Sequence, residues 1–251
     1  MFEGLAELLF PTRCAGCDAP GAALCPRCLA DVARIDRALA CVRCGAPGGR
    51  DECATCADAR YAFRATRCAG VLAGPLARAV VTYKDSGERR LALVLAGLAG
   101  DALVGWEGWA EAVTWVPASP AAVVRRGFDH AELLARCLAA RLDTHPVRML
   151  LCREGRDQRE LGRDARRANA AGAFVARPGL AAPARVLLVD DVLTTGSTMD
   201  AAAARLREAG AVEVRAVAVA RACGPLEAGH LLQSGVLPPG SVVAGVSPSP
   251  R

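Results

Sequence analysis

The sequence predicts a parallel α/β sheet flanked by helices, preceded by a small cysteine-rich module that folds around zinc. Short apolar runs alternate with helical stretches over residues 59–223, as in proteins whose parallel strands are joined by helical crossovers. Eight of the 12 cysteines lie before residue 59, in pairs with the spacing of metal-binding turns. We therefore divide the chain into a zinc module at 1–58, an α/β domain at 59–223 and a flexible tail rich in Gly, Pro and Ser at 224–251.

The composition excludes several classes of protein. A hydrophobic fraction of 53% with 23% charged residues is not that of a disordered chain. No uncharged apolar stretch reaches the roughly 18 residues that a membrane span requires. Residues 1–10 carry two glutamates and no basic residue, which predicts a short amphipathic helix rather than a signal peptide. We therefore expect a cytoplasmic protein without a membrane span.

Four Cys-x-x-Cys pairs supply the ligands for two structural zinc ions. Each pair lets two thiolates bind one metal from a tight turn, and four thiolates leave no open position for a substrate. A disulfide framework is the alternative, but it is expected in exported proteins and the chain shows no export signal. Neighbouring pairs could form two successive ribbons, although the spacing also allows interleaved pairing. The predicted ligands are Cys14, Cys17, Cys25, Cys28, Cys41, Cys44, Cys53 and Cys56.

The net charge of +5 is unevenly distributed between the two parts of the chain. Residues 1–58 contain six arginines and eight acidic residues, whereas residues 59–251 contain 25 basic and 18 acidic residues. Two zinc centres with four thiolates each would make the module still more negative, which is a poor match to a phosphate backbone. We therefore expect the zinc module to serve in folding and docking rather than in binding nucleic acid.

Hydrophobic periodicity places the strands and helices of the α/β domain. Gly210 stands where a glycine often ends a helix. The predicted strands are Cys68–Leu72, Val113–Val116, Val147–Leu150, Val186–Val189 and Val212–Val219, and the predicted helices are Arg89–Leu103, Ala131–Leu142, Arg163–Ala171 and Ser197–Ala209.

The segment from Val186 to Met199 predicts a phosphate-binding loop. An apolar strand ends in Asp190 and Asp191, and Thr-Thr-Gly-Ser-Thr then leads into a helix. Ligands of open α/β sheets bind beyond the carboxyl ends of the strands, and helix N-termini attract phosphate. The P-loop and dinucleotide fingerprints are both missing from this segment. We therefore expect residues 194–198 to bind a phosphate, and the two carboxylates to bind ribose hydroxyls or hydrated Mg²⁺.

This segment closely resembles the phosphoribosyl pyrophosphate (PRPP) signature of type I phosphoribosyltransferases. The resemblance implies the fold of that family and a ligand bound together with Mg²⁺. It also implies that Asp190 and Asp191 contact the ribose. The 5-phosphate would then be bound by Thr194, Thr195, Gly196, Ser197 and Thr198.

Lys84 is the one lysine among 31 basic residues, a bias typical of a GC-rich genome. The run Lys84-Asp85-Ser86-Gly87 resembles the pyrophosphate loop of type I phosphoribosyltransferases. A compact ammonium and free amides near Gly87 suit a pyrophosphate leaving group, while a solvated surface lysine is the alternative. We expect Lys84, Ser86 and Gly87 to bind pyrophosphate, and Lys84 to act with Asp190 and Asp191 if transfer occurs.

Two further segments resemble the ComF family of competence proteins. Val116-Pro117 followed by Arg125–Leu134 resembles its Val-Pro…Arg-Gly-Phe-Asn-Gln pattern, with Asp129-His130 where Asn-Gln is common. That family carries an N-terminal zinc module, and its members are linked to natural transformation, acting with a DNA-uptake helicase on single-stranded DNA. Its arginine-rich segment ending in Gly-Ala-Phe is matched here by Arg153, Gln158, Leu161, Arg167, Asn169, Ala173 and Phe174.

Two functions follow from these patterns. The first is PRPP binding, with Arg126 as a further pyrophosphate ligand and phosphoribosyl transfer as the reaction. No residue is clearly placed as a general base for a nucleobase, so the sequence leaves turnover open. The second is an accessory role in DNA uptake, in which the zinc module docks a helicase and Arg125, Arg126 and Arg153 contact single-stranded DNA. The sequence alone does not separate these two uses of the arginines.

Overall fold

The computed structural model describes residues 11–49, 51–57, 59–153, 172–224 and 231. The predicted helices at 1–10 and Arg163–Ala171 lie outside these residues, as does the tail except for Gly224 and Leu231. None of the helices in the described ranges is both long and apolar enough to cross a bilayer. In chain order the elements are α1 (Pro26–Ala30), β1 (Ala65–Val71), α2 (Gly74–Asp85), α3 (Leu91–Ala102), β2 (Ala112–Trp115), α4 (Pro120–Arg126), α5 (His130–Arg141), β3 (Leu150–Cys152), β4 (Phe174–Ala176), β5 (Arg185–Leu193), α6 (Ser197–Glu208) and β6 (Glu213–Arg221).

The described part of the α/β domain is centred on a four-stranded parallel sheet in the order β1-β6-β5-β2. Its central strand β5 is apolar on both faces. Leu187 and Val189 pack with the helices α3 and α5 on one face, and Val186 and Leu188 pack with α6 on the other. Two covered faces explain why this strand reads as a continuous apolar run. The predicted fold class, a parallel sheet with flanking helices, is confirmed.

The structure differs from the sequence predictions in three local features. Strands β3 and β4 form a separate antiparallel pair, and the strand predicted at Val147–Leu150 overlaps β3 only at its last residue. Helix α4 was missed because it spans only two turns, although Ser119 caps it and Pro120 is a favoured first residue. Strand β5 runs on to Leu193 instead of stopping at the acids, because Asp190 keeps its register with Ala218 of β6.

The zinc module packs along the open edge of β1. The amide of Thr66 donates to the carbonyl of Val42 at 2.9 Å, and the amide of Val71 donates to the carbonyl of Ala33 at 2.8 Å. An exposed strand edge invites unwanted pairing, so a covering segment protects it. The module is thus attached to the sheet by main-chain hydrogen bonds rather than by side-chain contacts alone.

Candidate functional site

The loop between β5 and α6 has the backbone shape expected of a phosphate site. Gly196 stands just before α6 with a φ of 80°, a left-handed conformation that residues with a Cβ rarely adopt. Thr194, Thr195 and Thr198 are exposed around it. The hydroxyls of Thr195 and Ser197 lie 2.9 Å apart. Hydroxyl groups and the first amides of a helix therefore lie close together at this turn, an arrangement that suits an anion.

The segment that follows the zinc module braces this loop from outside. The ring of Tyr61 stacks on Phe63 with centroids 4.7 Å apart, and its edge lies 3.5 Å from where a Cβ on Gly196 would be. The amide of Ala62 donates to Asp200 Oδ1 at 2.6 Å. This bond engages the one acidic side chain in the first turn of α6, which would otherwise face an incoming anion with like charge.

Asp191 is buried in the middle of the predicted PRPP-binding residues. Its side chain is 3% exposed, and its Oδ2 lies 2.9 Å from Lys84 Nζ and 3.5 Å from His130 Nε2. Burial alone would raise the pKa of this carboxyl, but the hydrogen bond from His130 and the charge of Lys84 hold it well below its usual value. Asp191 is therefore a carboxylate at neutral pH.

The pKa of Asp190 is shifted in the opposite direction from that of Asp191. Asp190 keeps part of its surface exposed, yet burial of the carboxyl and the neighbouring charge of Asp191 raise its pKa well above the usual value. The amide of Asp191 donates to Asp190 Oδ1 at 2.8 Å. Two adjacent acids with oppositely shifted pKa values offer both a fixed negative charge and a group that can carry a proton.

The glycine that follows Lys84 suggested that this lysine lies in a loop, but the structure places it in a helix. It occupies the last turn of α2, and the chain leaves the helix only at Ser86, followed by Gly87 with a φ of 73°. Its side chain is 32% exposed while its ammonium contacts Asp191. From this position Lys84 links the carboxylates to the open turn at Ser86 and Gly87.

His130 belongs to the site, although the sequence analysis did not select it as a site residue. It is the first residue of α5, and its side chain is 8% exposed beside Asp191. Arg126 Nη1 lies 3.3 Å from His130 Nδ1. The predicted ligand Arg126 therefore contacts His130, which in turn contacts Asp191. The signal available beforehand was the Asp129-His130 pair, which departs from a common Asn-Gln.

Asp129 has a positioning role. Its Oδ1 accepts hydrogen bonds from the amides of Ala131 and Glu132 at the start of α5, and its Oδ2 accepts one from Ala118 in the loop after β2. These bonds fix the direction in which α5 presents His130. Arg125 and Arg153, by contrast, are exposed on the surface.

The eight paired cysteines form two groups of four, taken consecutively along the chain. Within each group the sulfur atoms lie within 4.8 Å of one another, which is the arrangement of a tetrahedral zinc centre. Burial would raise the pKa of Cys14, but amide hydrogen bonds from Cys25 and Gly16 bring it to about 6, which favours the thiolate that zinc binds. The groups are Cys14, Cys17, Cys25, Cys28 and Cys41, Cys44, Cys53, Cys56.

Comparison with known proteins gives two family matches that together span both parts of the chain. Residues 5–60 match a double zinc ribbon domain, and residues 123–228 match a phosphoribosyl transferase domain. The zinc centres are therefore those of a double zinc ribbon.

The curated relatives include two competence proteins. Competence protein ComFC of Streptococcus pneumoniae is 29% identical over 139 residues, which cover 55% of this chain and 60% of that protein. Competence protein F of Haemophilus influenzae is 37% identical over 120 residues, covering 45% of this chain and 51% of that protein. The chain thus matches only about half to three fifths of their length. Among solved structures, the allosteric regulatory enzyme of purine biosynthesis is 21% identical with a TM-score of 0.40, covering 55% of this chain and 30% of that one.

Proposed function

We infer that this chain belongs to the ComF family of competence proteins, and we propose that its phosphoribosyltransferase-like domain binds PRPP. The observation that carries the proposal is the convergence of Asp190, Asp191 and Lys84 beside the start of α6. Two carboxylates, one ammonium and a helix N-terminus provide separate partners for hydroxyls, pyrophosphate and phosphate. PRPP carries all three of these groups.

The proposed orientation follows from the chemistry of each partner. The 5-phosphate lies against the hydroxyls and amides of residues 194–198, where Gly196 lets the backbone come close. The ribose hydroxyls meet Asp190 and Asp191. The pyrophosphate lies toward Lys84 and the turn at 86–87, with Arg126 behind His130 as a further cation.

The residues present also fit Mg²⁺. His130, Asp190 and Asp191 offer ligand atoms within 4.8 Å of one another, and carboxylate oxygens are the hard ligands that Mg²⁺ prefers. We propose that Asp190 and Asp191 hold the ion together with ligand oxygens, since Mg²⁺ usually keeps few protein ligands. When bound, it would neutralise charge on the pyrophosphate.

Phosphoribosyl transfer is the reaction that this geometry would support. The bond between ribose C1 and pyrophosphate breaks with its electron pair leaving on pyrophosphate, and a lone pair of the acceptor forms the new bond to C1. Lys84 would stabilise the leaving charge, and Asp191 would stabilise the cationic ribose through its fixed negative charge. The acceptor also loses a proton, and we assign the deprotonated form of Asp190 as the base that takes it, since the raised pKa of this carboxyl suits proton transfer.

The decisive experiment is calorimetry of the zinc-loaded chain with PRPP and Mg²⁺. We expect binding by the wild type and loss of binding in Asp190→Asn/Asp191→Asn. Asp143→Asn is the matched control, because Asp143 is an exposed acid in a left-handed turn that asparagine also tolerates. A wild-type protein that does not bind PRPP would overturn the proposal. Release of pyrophosphate across a panel of nucleobases then tests turnover.

A role in DNA uptake is the second candidate, favoured by the competence proteins among the relatives. In this case a helicase docks on the zinc ribbons, and the exposed Arg125 and Arg153 contact the phosphates of single-stranded DNA. Binding should weaken steeply with salt, and the slope should fall in Arg125→Ala/Arg153→Ala. The same slope in wild type and variant would reject these contacts.

A further inference from the structure

A cleft of about 690 Å³ lies where the second zinc ribbon meets the sheet. The ribbon side is formed by residues 41–43, and the sheet side by residues 64–68 at the start of β1 and by Arg215 near the start of β6. These sheet residues lie near the amino ends of their strands. Asp190 and Asp191 lie near the carboxyl end of β5, at the opposite edge of the parallel sheet. The cleft is therefore separate from the proposed PRPP site.

Arginine is the most frequent charged residue in the lining of this cleft. Five arginines line it against two acids, Asp51 and Glu52. Two of the five have carboxylate partners, since Arg43 pairs with Glu52 and Arg215 with Glu213, each at 2.7 Å. The exposed Arg37 and Arg64 have no carboxylate within ion-pair distance in the described part of the chain. The five are Arg37, Arg43, Arg64, Arg67 and Arg215.

Two of these cations are fixed in place before any ligand arrives. Arg67 donates to the carbonyl of Ala102 at 3.0 Å, and its guanidinium lies 4.4 Å from the ring centroid of Trp106. Arg215 lies 4.1 Å from the ring centroid of Trp109. These contacts hold both guanidinium groups in place, and those of Arg67 do so without a carboxylate partner in the described residues.

The cations also repel one another. Burial lowers the pKa of Arg67, and the charges of Arg37 and Arg215 lower it further. A guanidinium nevertheless stays protonated at physiological pH, so the repulsion is not relieved by loss of a proton. An anion shared between these side chains would relieve it, and fixed arginines form paired hydrogen bonds with phosphate oxygens.

We propose that this cleft is a second anion site, which binds the phosphate groups of a nucleotide-sized small molecule. Its volume lies within the usual range for small-ligand pockets. A long nucleic acid strand presents the same phosphates but would extend over the zinc module, where eight acids and two tetrathiolate centres outweigh six arginines. The surroundings therefore favour a short ligand that ends within the cleft.

Calorimetry with ADP on the zinc-loaded chain tests the proposal. Arg37→Ala/Arg64→Ala removes the two exposed cations without a carboxylate partner in the described residues and should weaken ADP binding at least tenfold. The matched control is Arg207→Ala, an exposed arginine at the end of α6 without a carboxylate partner in the described residues, and it should bind ADP as the wild type does. Asp190→Asn/Asp191→Asn should also bind ADP normally, which separates this cleft from the PRPP site.

Three results would overturn the proposal. The first is that the wild type does not bind ADP, and the second is that all variants bind it equally. The third is that a ten-residue oligothymidylate binds at Arg37 and Arg64 while ADP does not. Zinc content and circular dichroism of Arg37→Ala/Arg64→Ala should match those of the wild type, since both side chains are exposed. The outcome does not depend on whether PRPP binds at the other edge of the sheet.

Discussion

Replacing Lys84 by alanine removes the one ammonium group that contacts the paired acids. Lys84 Nζ lies 2.9 Å from Asp191 Oδ2, and the Asp191 side chain is 3% exposed. Lys84 could therefore matter in two ways, as a ligand of pyrophosphate or as the partner that keeps Asp191 charged and in place. A single loss of affinity for PRPP would not distinguish these roles.

The structure sets the size of the expected stability change. Breaking a fully buried ion pair by removing one partner costs about 3–5 kcal/mol. Lys84 is 32% exposed, and His130 stays 3.5 Å from Asp191, so part of the compensation survives. We expect Lys84→Ala to lower the free energy of unfolding by about 2 kcal/mol, which is within the range of a hydrogen bond to a charged group. A domain with a typical stability of about 5–15 kcal/mol remains folded after this loss.

Two ligands separate the possible roles of Lys84 in binding. A lost charged hydrogen bond to pyrophosphate should weaken PRPP about ten- to hundredfold. Ribose 5-phosphate, which lacks pyrophosphate, should bind Lys84→Ala as it binds the wild type. Both affinities are measured by calorimetry with Mg²⁺, and urea unfolding of the same preparations gives the stability change. Lys84→Arg is the control that keeps the positive charge.

Two outcomes would refute the assignment of Lys84 to pyrophosphate. If PRPP binds Lys84→Ala within about twofold of the wild type, the lysine is not a ligand. If ribose 5-phosphate weakens as much as PRPP, Lys84 acts through Asp191 alone and its role is to position the carboxylate.

Three further predictions concern the zinc ribbons and the backbone of the site. Elemental analysis should give about two zinc ions per chain and about one in Cys53→Ser/Cys56→Ser, whereas two in that variant would contradict the second tetrad. Asp129→Ala should lower the free energy of unfolding by about 1–2 kcal/mol in urea, and Asp129→Asn by much less, because asparagine also caps helices. Gly196→Ala should cost about 1–2 kcal/mol through its left-handed φ of 80° alone, and an unchanged urea midpoint would show that the loop adapts.

The strand, turn and helix of the proposed phosphate loop were predictable because they are contiguous in sequence. A buried strand, two acids, a hydroxyl-rich turn and a glycine at a helix start occupy one short segment, and local rules place each of them. The cysteine tetrads were predictable for the same reason, since four thiolates per zinc are set by the metal. The sequence left open which pairs combine, and the structure groups them consecutively.

The other half of the site could not be predicted from local patterns. His130 reaches Asp191 only because α5 packs across β5 and β2, and Asp129 fixes the start of that helix. The helical position of Lys84 was obscured by Gly87, which suggested that the loop starts earlier than it does. Contacts between distant segments depend on how the helices pack on the sheet, which no single stretch of sequence encodes.

The two zinc ribbons brace the two halves of the proposed PRPP site separately. In the first ribbon, the carbonyl of Gly16 accepts a hydrogen bond from Arg78 at 2.7 Å, and Arg78 lies on α2, the helix that carries Lys84. In the second ribbon, the carbonyl of Cys44 accepts one from Arg221 at 3.1 Å, at the end of β6.

Arg221 is buried against the second ribbon. Arg221 is 7% exposed and its Nη2 lies 4.0 Å from the sulfur of Cys44, so the negative charge of a tetrathiolate zinc centre would add to the stabilisation of this buried cation. The chain that leaves this ribbon then places Tyr61 against Gly196 and ties Ala62 to Asp200 at the phosphate loop. Zinc in the second ribbon therefore supports the phosphate loop through a buried charge and a short stretch of chain. Zinc in the first supports the helix that carries Lys84.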